Sequence, residues 1–386
     1  MSAALPVYLD YAATSPVDAR VAAAMSECLT RDGVFGNPAS LHKHGRLARE
    51  RVEHARAQVA ALVHAEPQQL VWTSGATESN NLAILGTARA AVRRGRHLVS
   101  ARTEHKAVID PLHRLEHEGF QVTWLDTDHQ GLIDPQQLRE ALRDDTVLVS
   151  IMHANNEIGV LQDIEALAAI CHERAVPLHV DAAQSAGKME VDVRRLQCDL
   201  LSFTAHKMYG PKGIGALYFA PARRAALQPL MFGGGHERGL RSGTLAVHQI
   251  VGFGVACELA AAAWAADAAH CERLRMRLWR GLQRIDGVLP NGHPTRRVAG
   301  ILNVSFNGIE GESLLMALSE LSLSTGSACN SDSDEPSYVL RALGRDTELA
   351  QSSLRFSLGR YSTEADIDLA IVAVTREVAR LRAILP

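Results

Sequence analysis

Between residues 70 and 219 the chain alternates short runs of apolar and β-branched residues with longer stretches of helical spacing. Such alternation is typical of βα units around a largely parallel sheet. The apolar runs predict seven strands: Leu70–Thr73, His97–Ala101, Gln121–Leu125, Thr146–Met152, Pro177–Val180, Asp199–Thr204 and Ile214–Phe219. Intervening segments such as Asp163–Glu173 have the spacing and charge of helices. The pattern therefore predicts an α/β fold with a mainly parallel seven-stranded sheet.

After Gly243 the pattern changes to a long alanine-rich helix, Val251–Arg284, which carries its charges mainly in its second half. We expect this helix to run between two domains. The rest of the chain predicts two strands and two helices: Gly300–Phe306, Gly311–Leu321, Ser353–Leu358 and Thr363–Leu385. The expected organisation is a large domain over residues 15–262 and a smaller α+β domain formed by residues 1–14 and 263–386.

Composition narrows the class of protein. The 386 residues are 47% apolar and 22% charged, which permits a large core and favours two domains in one enzyme-sized subunit. With a formal net charge of -3, the chain lacks the excess of positive charge expected of a protein that binds nucleic acid or an anionic membrane surface. The first residues lack the features of an export signal, and no run approaches the length of a membrane span. We therefore expect a cytoplasmic enzyme that acts on small molecules and proteins.

Polar residues with catalytic potential follow the carboxyl ends of successive predicted strands, where ligands bind in open α/β sheets. The turn Thr73–Asn81 leads into a helix, so its N–H groups and the Thr77 hydroxyl could hold a phosphate, although an ordinary helix cap would look the same. Later strands are followed by His105, Asn156, Asp181, Gln184, His206 and Lys207. Any one of these could be a turn or core residue, but several along one edge indicate a shared site.

A phosphate-binding turn, a carboxylate, an imidazole and a lysine at one edge together suit pyridoxal 5′-phosphate. A lysine amine forms a Schiff base with the cofactor aldehyde, and a carboxylate keeps the pyridine nitrogen protonated so that the ring accepts electrons. Asp181 suits the carboxylate role because a neighbouring pyridinium favours its ionised form. Spacing alone leaves four lysines open for the Schiff base: Lys106, Lys188, Lys207 and Lys212.

Several strings, in order along nearly the whole chain, resemble the cysteine desulfurase family of NifS/IscS type, and most closely its IscS branch. They are SGATESNN, TEHKAV, MHANNEIG, HVDAAQS, AHKMYGPKGIGALY, GGGHERGLRSGT, STGSACNS and EPSYVLRALG. The resemblance implies the type I fold of pyridoxal-phosphate enzymes. It also implies conversion of L-cysteine to L-alanine, with the sulfur passed to Cys329 as a persulfide.

The resemblance also implies roles around the cofactor ring. Lys207, in the AHK motif, would hold the cofactor and move the Cα proton of the substrate. Asp181 would face the pyridine nitrogen, and His105 would stack on the ring and serve as an acid or base. Gln184 and Asn156 would surround the ring hydroxyl.

By the same resemblance the phosphate would be held by four residues of one subunit and by Thr244 of a second. The four are Ala76, Thr77, Thr204 and His206. Thr204 stands where relatives often have serine, and we expect the retained hydroxyl to preserve phosphate binding. A contribution from Thr244 would make the site complete only in a homodimer.

Arg355 is the expected partner of the substrate carboxylate, together with Asn156. A guanidinium offers two parallel charge-assisted hydrogen bonds in a fixed plane. An isolated arginine in such a sequence could equally be a buried structural ion pair. The family resemblance favours the substrate.

Cys329 lies in a segment, residues 324–336, that is rich in small polar residues and predicts a mobile loop. Its thiolate would take the sulfur. The other cysteines, in apolar or helical surroundings, are expected to be packed thiols: Cys28, Cys171, Cys198, Cys257 and Cys271. No CxxC pair occurs, so we expect neither a disulfide framework nor a metal site.

The resemblance implies an iron–sulfur scaffold protein or another persulfide acceptor for thiolation pathways as partner, and it leaves open ligation of a cluster by Cys329. Two departures from the IscS pattern bear on that partner: Asp332 and Asp334 follow Cys329, and the chain ends at Pro386 without the usual extension. The alternatives are a selenocysteine lyase or an aminotransferase on the same scaffold, and a non-catalytic binding protein.

Overall fold

A computed structural model describes residues 5–220, 226–325 and 335–384. The helices and strands in chain order are β1 Val7–Tyr8, α1 Ala19–Ser26, α2 Lys43–Leu62, β2 Leu70–Thr73, α3 Ala76–Ala90, β3 His97–Ala101, α4 Lys106–His117, β4 Gln121–Leu125, α5 Pro135–Ala141, β5 Thr146–Met152, α6 Ile164–Glu173, β6 Leu178–Asp181, α7 Val193–Leu196, β7 Leu200–Thr204, β8 Gly215–Phe219, α8 Val247–Leu282, β9 Val288–Asn291, β10 Ile301–Phe306, α9 Gly311–Ala317, β11 Leu321–Ser322, β12 Ser324–Thr325, α10 Tyr338–Ala342, α11 Thr347–Gln351, β13 Ser353–Ser357 and α12 Glu364–Ile384.

The central sheet has seven strands in the order β2-β8-β7-β6-β5-β3-β4. All neighbouring pairs are parallel except those of β8, which runs antiparallel to β2 and to β7. The strands β2, β3, β5, β6, β7 and β8 are buried along their whole length because helices cover both faces. The prediction of a mainly parallel seven-stranded sheet is confirmed, with strand bounds within one residue of those expected.

The C-terminal part of the chain forms a four-stranded antiparallel sheet in the order β12-β13-β10-β9. Helices α9 and α12 contribute Leu314 and Val374 to the apolar core that covers this sheet, together with Phe306 and Phe356. The predicted strands and the terminal helix are present. The domain boundaries at residues 14 and 262 remain a prediction.

Helix α9 is shorter than the expected Gly311–Leu321, because it ends at Ala317. Leu321 and Ser322 instead form a parallel pair with β1 near the N-terminus. The N–H of Val7 donates to the carbonyl of Glu320, which begins this pairing. A contact with a remote part of the chain thus overrides the local helical pattern.

Helix α8 runs through both apolar cores. Val251 and Phe253 in its first half pack into the core of the central sheet, whereas Leu274 and Leu278 in its second half pack into the core of the smaller sheet. By length and composition alone this helix could cross a membrane. Because it packs into both cores, we interpret it as the connecting helix that the sequence predicts, beginning at Val247 and ending at Leu282.

Candidate active site

A cavity of about 530 Å³ opens at the carboxyl ends of the parallel strands. Ten of the predicted site residues line it: Ala76, Thr77, His105, Asn156, Asp181, Gln184, Thr204, His206, Lys207 and Arg355. Nine lie in strands of the central sheet or in the helices and loops that follow them, and Arg355 lies in β13 of the smaller sheet. Segments that are distant in the sequence therefore build one pocket of a size suited to a cofactor with a small substrate.

The N-terminus of α3 forms one wall of the cavity, and no side chain of the described residues caps it. Its preceding residue, Gly75, has a φ of 154°, and Gly215 on β8 packs so closely that an added Cβ would lie 2.7 Å from the Cα of Gly75. The Thr204 hydroxyl donates to the carbonyl of Ile214 at 3.3 Å. An uncapped helix start exposes N–H groups and a partial positive charge, which favours a phosphate.

Asp181, at the end of β6, is held by two hydrogen bonds. Asn80 donates from Nδ2 to Oδ2 at 2.7 Å, and the N–H of Ala183 donates to Oδ1 at 2.9 Å. The role of Asn80 is not evident from the sequence. A signal was present, since Asn80 shares a helical face with the buried Ala83 and Ile84 and is a buried amide among apolar residues.

Two imidazoles in the cavity favour the neutral form. His105 begins α4, where its Nδ1 accepts from the N–H of Ala107 at 3.0 Å, which leaves the proton of the neutral ring on Nε2. Its pKa is lowered by burial and by the charge of Lys207. Burial, with Lys207 adding to it, also lowers the pKa of His206 to about 4. His206 Nδ1 lies 3.1 Å from the hydroxyl of Thr14, another cavity residue that sequence reasoning missed.

The four candidate lysines lie in different places. Lys207, in a short 3₁₀ helix after β7, lines the cavity, and so does the exposed Lys212. Lys188 lies behind the cavity wall and donates to Gln184, whereas Lys106 lines a separate surface groove. The geometry therefore reduces four candidates to two.

Arg355 is buried and makes two contacts. Nη2 donates to Oδ1 of Asp10 at 2.8 Å, and Nη1 donates to the carbonyl of Asn156 at 2.9 Å. Within the described part of the chain, Arg355 Nε and Asn156 Oδ1 are both buried without a hydrogen-bond partner. Arg355 therefore forms a buried ion pair with Asp10, and it keeps N–H groups that a ligand could use. Its role in binding the substrate carboxylate remains a prediction.

Two buried carboxyl groups adjoin cavity residues in the sequence. Burial raises the pKa of Glu104 well above its usual range, and Asp181 adds to that effect. Burial also raises the pKa of Glu157 to about 7. The hydroxyl of Ser337 donates to Glu157 at 2.5 Å, and the hydroxyl of Tyr338 donates to the carbonyl of Glu104 at 2.7 Å. These contacts fasten the start of α10 to the wall of the cavity.

The predicted acceptor residue, Cys329, lies outside the described residues, as do Asp332 and Asp334. The chain on either side of that stretch is fixed beside the cavity, because Ser324 of β12 pairs with Arg355 and Ser337 contacts Glu157. The other five cysteines are all buried. Burial raises the pKa of three of them: Cys28, Cys257 and Cys271.

Thr244, the residue expected to reach a second subunit, is exposed and does not line the cavity of its own chain. It follows Arg241, which forms an ion pair with Glu78 at 2.7 Å beside the N-terminus of α3. The segment that carries Thr244 is thereby attached to α3, the helix whose N-terminus forms one wall of the cavity.

The cavity suits pyridoxal 5′-phosphate in four respects. The uncapped start of α3 can take the phosphate, and Asp181 can face a pyridine nitrogen. Lys207 can supply the amine, and Oδ1 of Asn156, which has no hydrogen-bond partner among the described residues, can accept from a bound polar group. The residues present therefore fit this group.

Known proteins resemble this chain in family, in sequence and in structure. Residues 7–369 match the family described as aminotransferase class-V. A protein named cysteine desulfurase IscS from Shewanella sp. strain ANA-3 is 55% identical over 383 residues, covering 99% of this chain and 95% of that protein. A solved structure described as a NifS-like protein has a TM-score of 0.91 and 35% identity, covering 98% of this chain and 100% of its own. Another, described as SspA in complex with cysteine, has a TM-score of 0.82 and 37% identity, covering 92% and 100%.

Proposed function

This chain belongs to the aminotransferase class-V family, and within it to the cysteine desulfurases, and from that premise we propose that Lys207 and Cys329 carry its reaction. The enzyme uses pyridoxal 5′-phosphate to convert L-cysteine to L-alanine. The balanced reaction on the protein is L-cysteine plus the Cys329 thiol giving L-alanine plus a Cys329 persulfide. The observation that carries the assignment is the convergence of ten predicted residues on one cavity.

When bound, the cofactor withdraws electrons from the substrate amino acid and so weakens its bonds at and beyond Cα. The residues of the protein hold the cofactor and orient the substrate. The start of α3, with Thr77, Thr204 and His206, would hold the phosphate, and Thr244 of a second subunit would complete that site in a homodimer. Asp181, fixed by Asn80, would face the ring nitrogen.

Lys207 would hold the cofactor covalently and then, once released, move the proton of the substrate Cα. A lysine can do this only as a neutral amine. Burial and the charge of Lys207 lower the pKa of the neighbouring His105, so its imidazole favours the neutral form. His105 would lie against the ring face, and Gln184 and Asn156 would contact the ring hydroxyl.

Arg355 would bind the substrate carboxylate with the N–H groups that Asp10 and Asn156 leave available. Because Ser324 pairs with Arg355, the chain enters the Cys329 segment beside the bound substrate.

Cys329 stands four residues after Thr325 in the sequence. As a thiolate it would attack the substrate sulfur, and the carbon left behind would take a proton to give alanine. The persulfide would pass to an iron–sulfur scaffold protein or another acceptor in the cytoplasm. Asp332 and Asp334, as negative charges near the thiol, would bear on the choice of that acceptor.

One experiment separates the roles of the lysines. The purified protein is reduced with borohydride in the presence of pyridoxal 5′-phosphate, digested, and searched by mass spectrometry for the modified lysine. Modification at Lys207 is expected, and modification at Lys212 would refute the assignment.

A second experiment tests the sulfur acceptor. Alanine and sulfide are measured after addition of cysteine to the wild type and to Cys329→Ala, with Cys257→Ala as the matched control for loss of a buried thiol. We expect alanine formation to fall at least about 100-fold in Cys329→Ala alone. Unchanged turnover in that variant would favour a lyase or an aminotransferase that needs no acceptor cysteine.

A further inference from the structure

Lys188 lies directly behind a cofactor-facing residue. Its Nζ donates to Oε1 of Gln184 at 2.8 Å, and Nε2 of Gln184 donates to the carbonyl of Ala12 at 2.8 Å. Gln184 is buried and lines the main cavity, whereas Lys188 lines a second, smaller cavity of about 50 Å³ on the other side. Lys207 lines both cavities. Lys188 is therefore one contact away from the cofactor site without being part of its surface.

The two contacts fix which way the Gln184 amide faces. An ammonium group can only donate, so it selects the amide oxygen, and a carbonyl can only accept, so Ala12 selects the amide nitrogen. An amide nitrogen carries two hydrogens, of which Ala12 takes one. The second N–H remains for a group in the main cavity. If the amide turned over, it would face Lys188 with N–H groups and Ala12 with an oxygen, and both contacts would be lost.

We propose that Lys188 is a positioning residue, which holds Gln184 so that an N–H of its side chain is presented to the hydroxyl of the cofactor ring. The inference rests on the proposed function, because it requires Gln184 to contact that ring. It adds a role for a lysine that does not form the Schiff base. Without Lys188, the contact with Ala12 alone would hold the amide.

The surroundings of Lys188 are compatible with this role. Its pKa is lowered to about 7 by burial first and then by the charges of Lys207 and Arg355, while Cys271 acts in the opposite direction. Asp267 and Tyr209 line the same small cavity. Below pH 7 the side chain is mainly an ammonium that can only donate, so the orientation of Gln184 is set most firmly there.

A double-mutant cycle tests the proposal. Lys188→Met keeps the length and the apolar stem of the side chain but removes the donor, and Gln184→Met removes the amide. The dissociation constant of pyridoxal 5′-phosphate is measured by titrating the apoprotein below pH 7 and following the visible absorbance of the bound cofactor. In Lys188→Met the Ala12 contact alone orients the amide, and a fall of the binding-competent orientation to about one tenth of the apoprotein corresponds to about a tenfold rise in that constant. In the Gln184→Met background the same substitution should change it less than about twofold.

Two results would overturn the proposal: a constant within twofold of wild type in Lys188→Met, or effects of the two substitutions that multiply independently. A merely structural role would give the second result. Lys188→Gln, which keeps a neutral N–H donor, serves if Lys188→Met does not fold, and we expect an intermediate constant. Thermal unfolding of each apoprotein checks the fold. Failure of the wild type to bind the cofactor at Lys207 would instead refute the proposed function.

Discussion

Replacing Arg355 with lysine tests whether this side chain binds the substrate carboxylate. A guanidinium has five N–H groups, of which Asp10 and the carbonyl of Asn156 take one each. Three remain, including the one on Nε, which has no partner within the described ranges. Two of them can bind a carboxylate in parallel. Lysine has only three N–H groups, so if it keeps the two protein contacts it has a single donor for the substrate.

The variant should therefore lose one hydrogen bond to a charged group, which contributes about 1.5–3 kcal/mol. This corresponds to about a 10- to 150-fold rise in KM for cysteine. The carboxylate of the substrate does not react and keeps its charge throughout. Its binding should therefore be equally strong before and during the chemical step, and kcat should change much less than KM.

The assay is the initial rate of alanine formation over a range of cysteine concentrations. Arg345→Lys is a matched control, since Arg345 also makes two contacts, with Asn291 Oδ1 at 2.8 Å and with the carbonyl of Pro290 at 2.9 Å, but lies away from the cavity. A KM within twofold of wild type in Arg355→Lys would refute the reasoning. So would a large loss of kcat at unchanged KM, which would make Arg355 part of the chemical step.

Three further predictions concern the walls of the site. Asn80→Leu removes the donor to Asp181 and should weaken cofactor binding about tenfold in an absorbance titration; binding equal to that of the wild type would show that Ala183 alone suffices. Burial raises the pKa of Glu157 from 4.5 to about 7. Between these two pH values the folded protein keeps the Glu157 proton while the unfolded chain releases it, so the free energy of unfolding falls as the pH rises. Denaturant titrations should therefore show that the free energy of unfolding of the wild type, relative to that of Glu157→Gln, falls by at most about 3 kcal/mol between pH 4.5 and 8. A difference that stays constant with pH would contradict the effect of burial on Glu157. Ser337→Ala removes the contact with Glu157 and should slow persulfide formation, which is measured by mass spectrometry, while the affinity for the cofactor stays unchanged. If persulfide formation and cofactor affinity fell together, Ser337 would instead belong to the cofactor site.

The central sheet and most of the cavity were predictable from the sequence, because each buried strand is a short apolar run and most of the active groups end such a run or follow it within a few residues. The pairing of β11 with β1 was not, since it joins residues 314 positions apart in the sequence, Val7 and Leu321. The same holds for Asp10, which contacts Arg355 across 345 positions. Asn80 was overlooked because its motif also reads as a helix start. Lys207 and Lys212 stand so close together in the sequence that spacing could not separate them.

Because helix α8 packs into both apolar cores, it affects how precisely the groups of the active site are held relative to one another. Lys207 follows strand β7 of the central sheet and Arg355 lies in strand β13 of the smaller sheet, and in the proposed reaction the substrate contacts both. Helix α8 is continuous over 36 residues and about 54 Å long. Tilting one half of the subunit against the other would therefore require this helix to bend. A kink introduced at its midpoint, for example by proline, would let Lys207 and Arg355 drift apart while each half keeps its own interior.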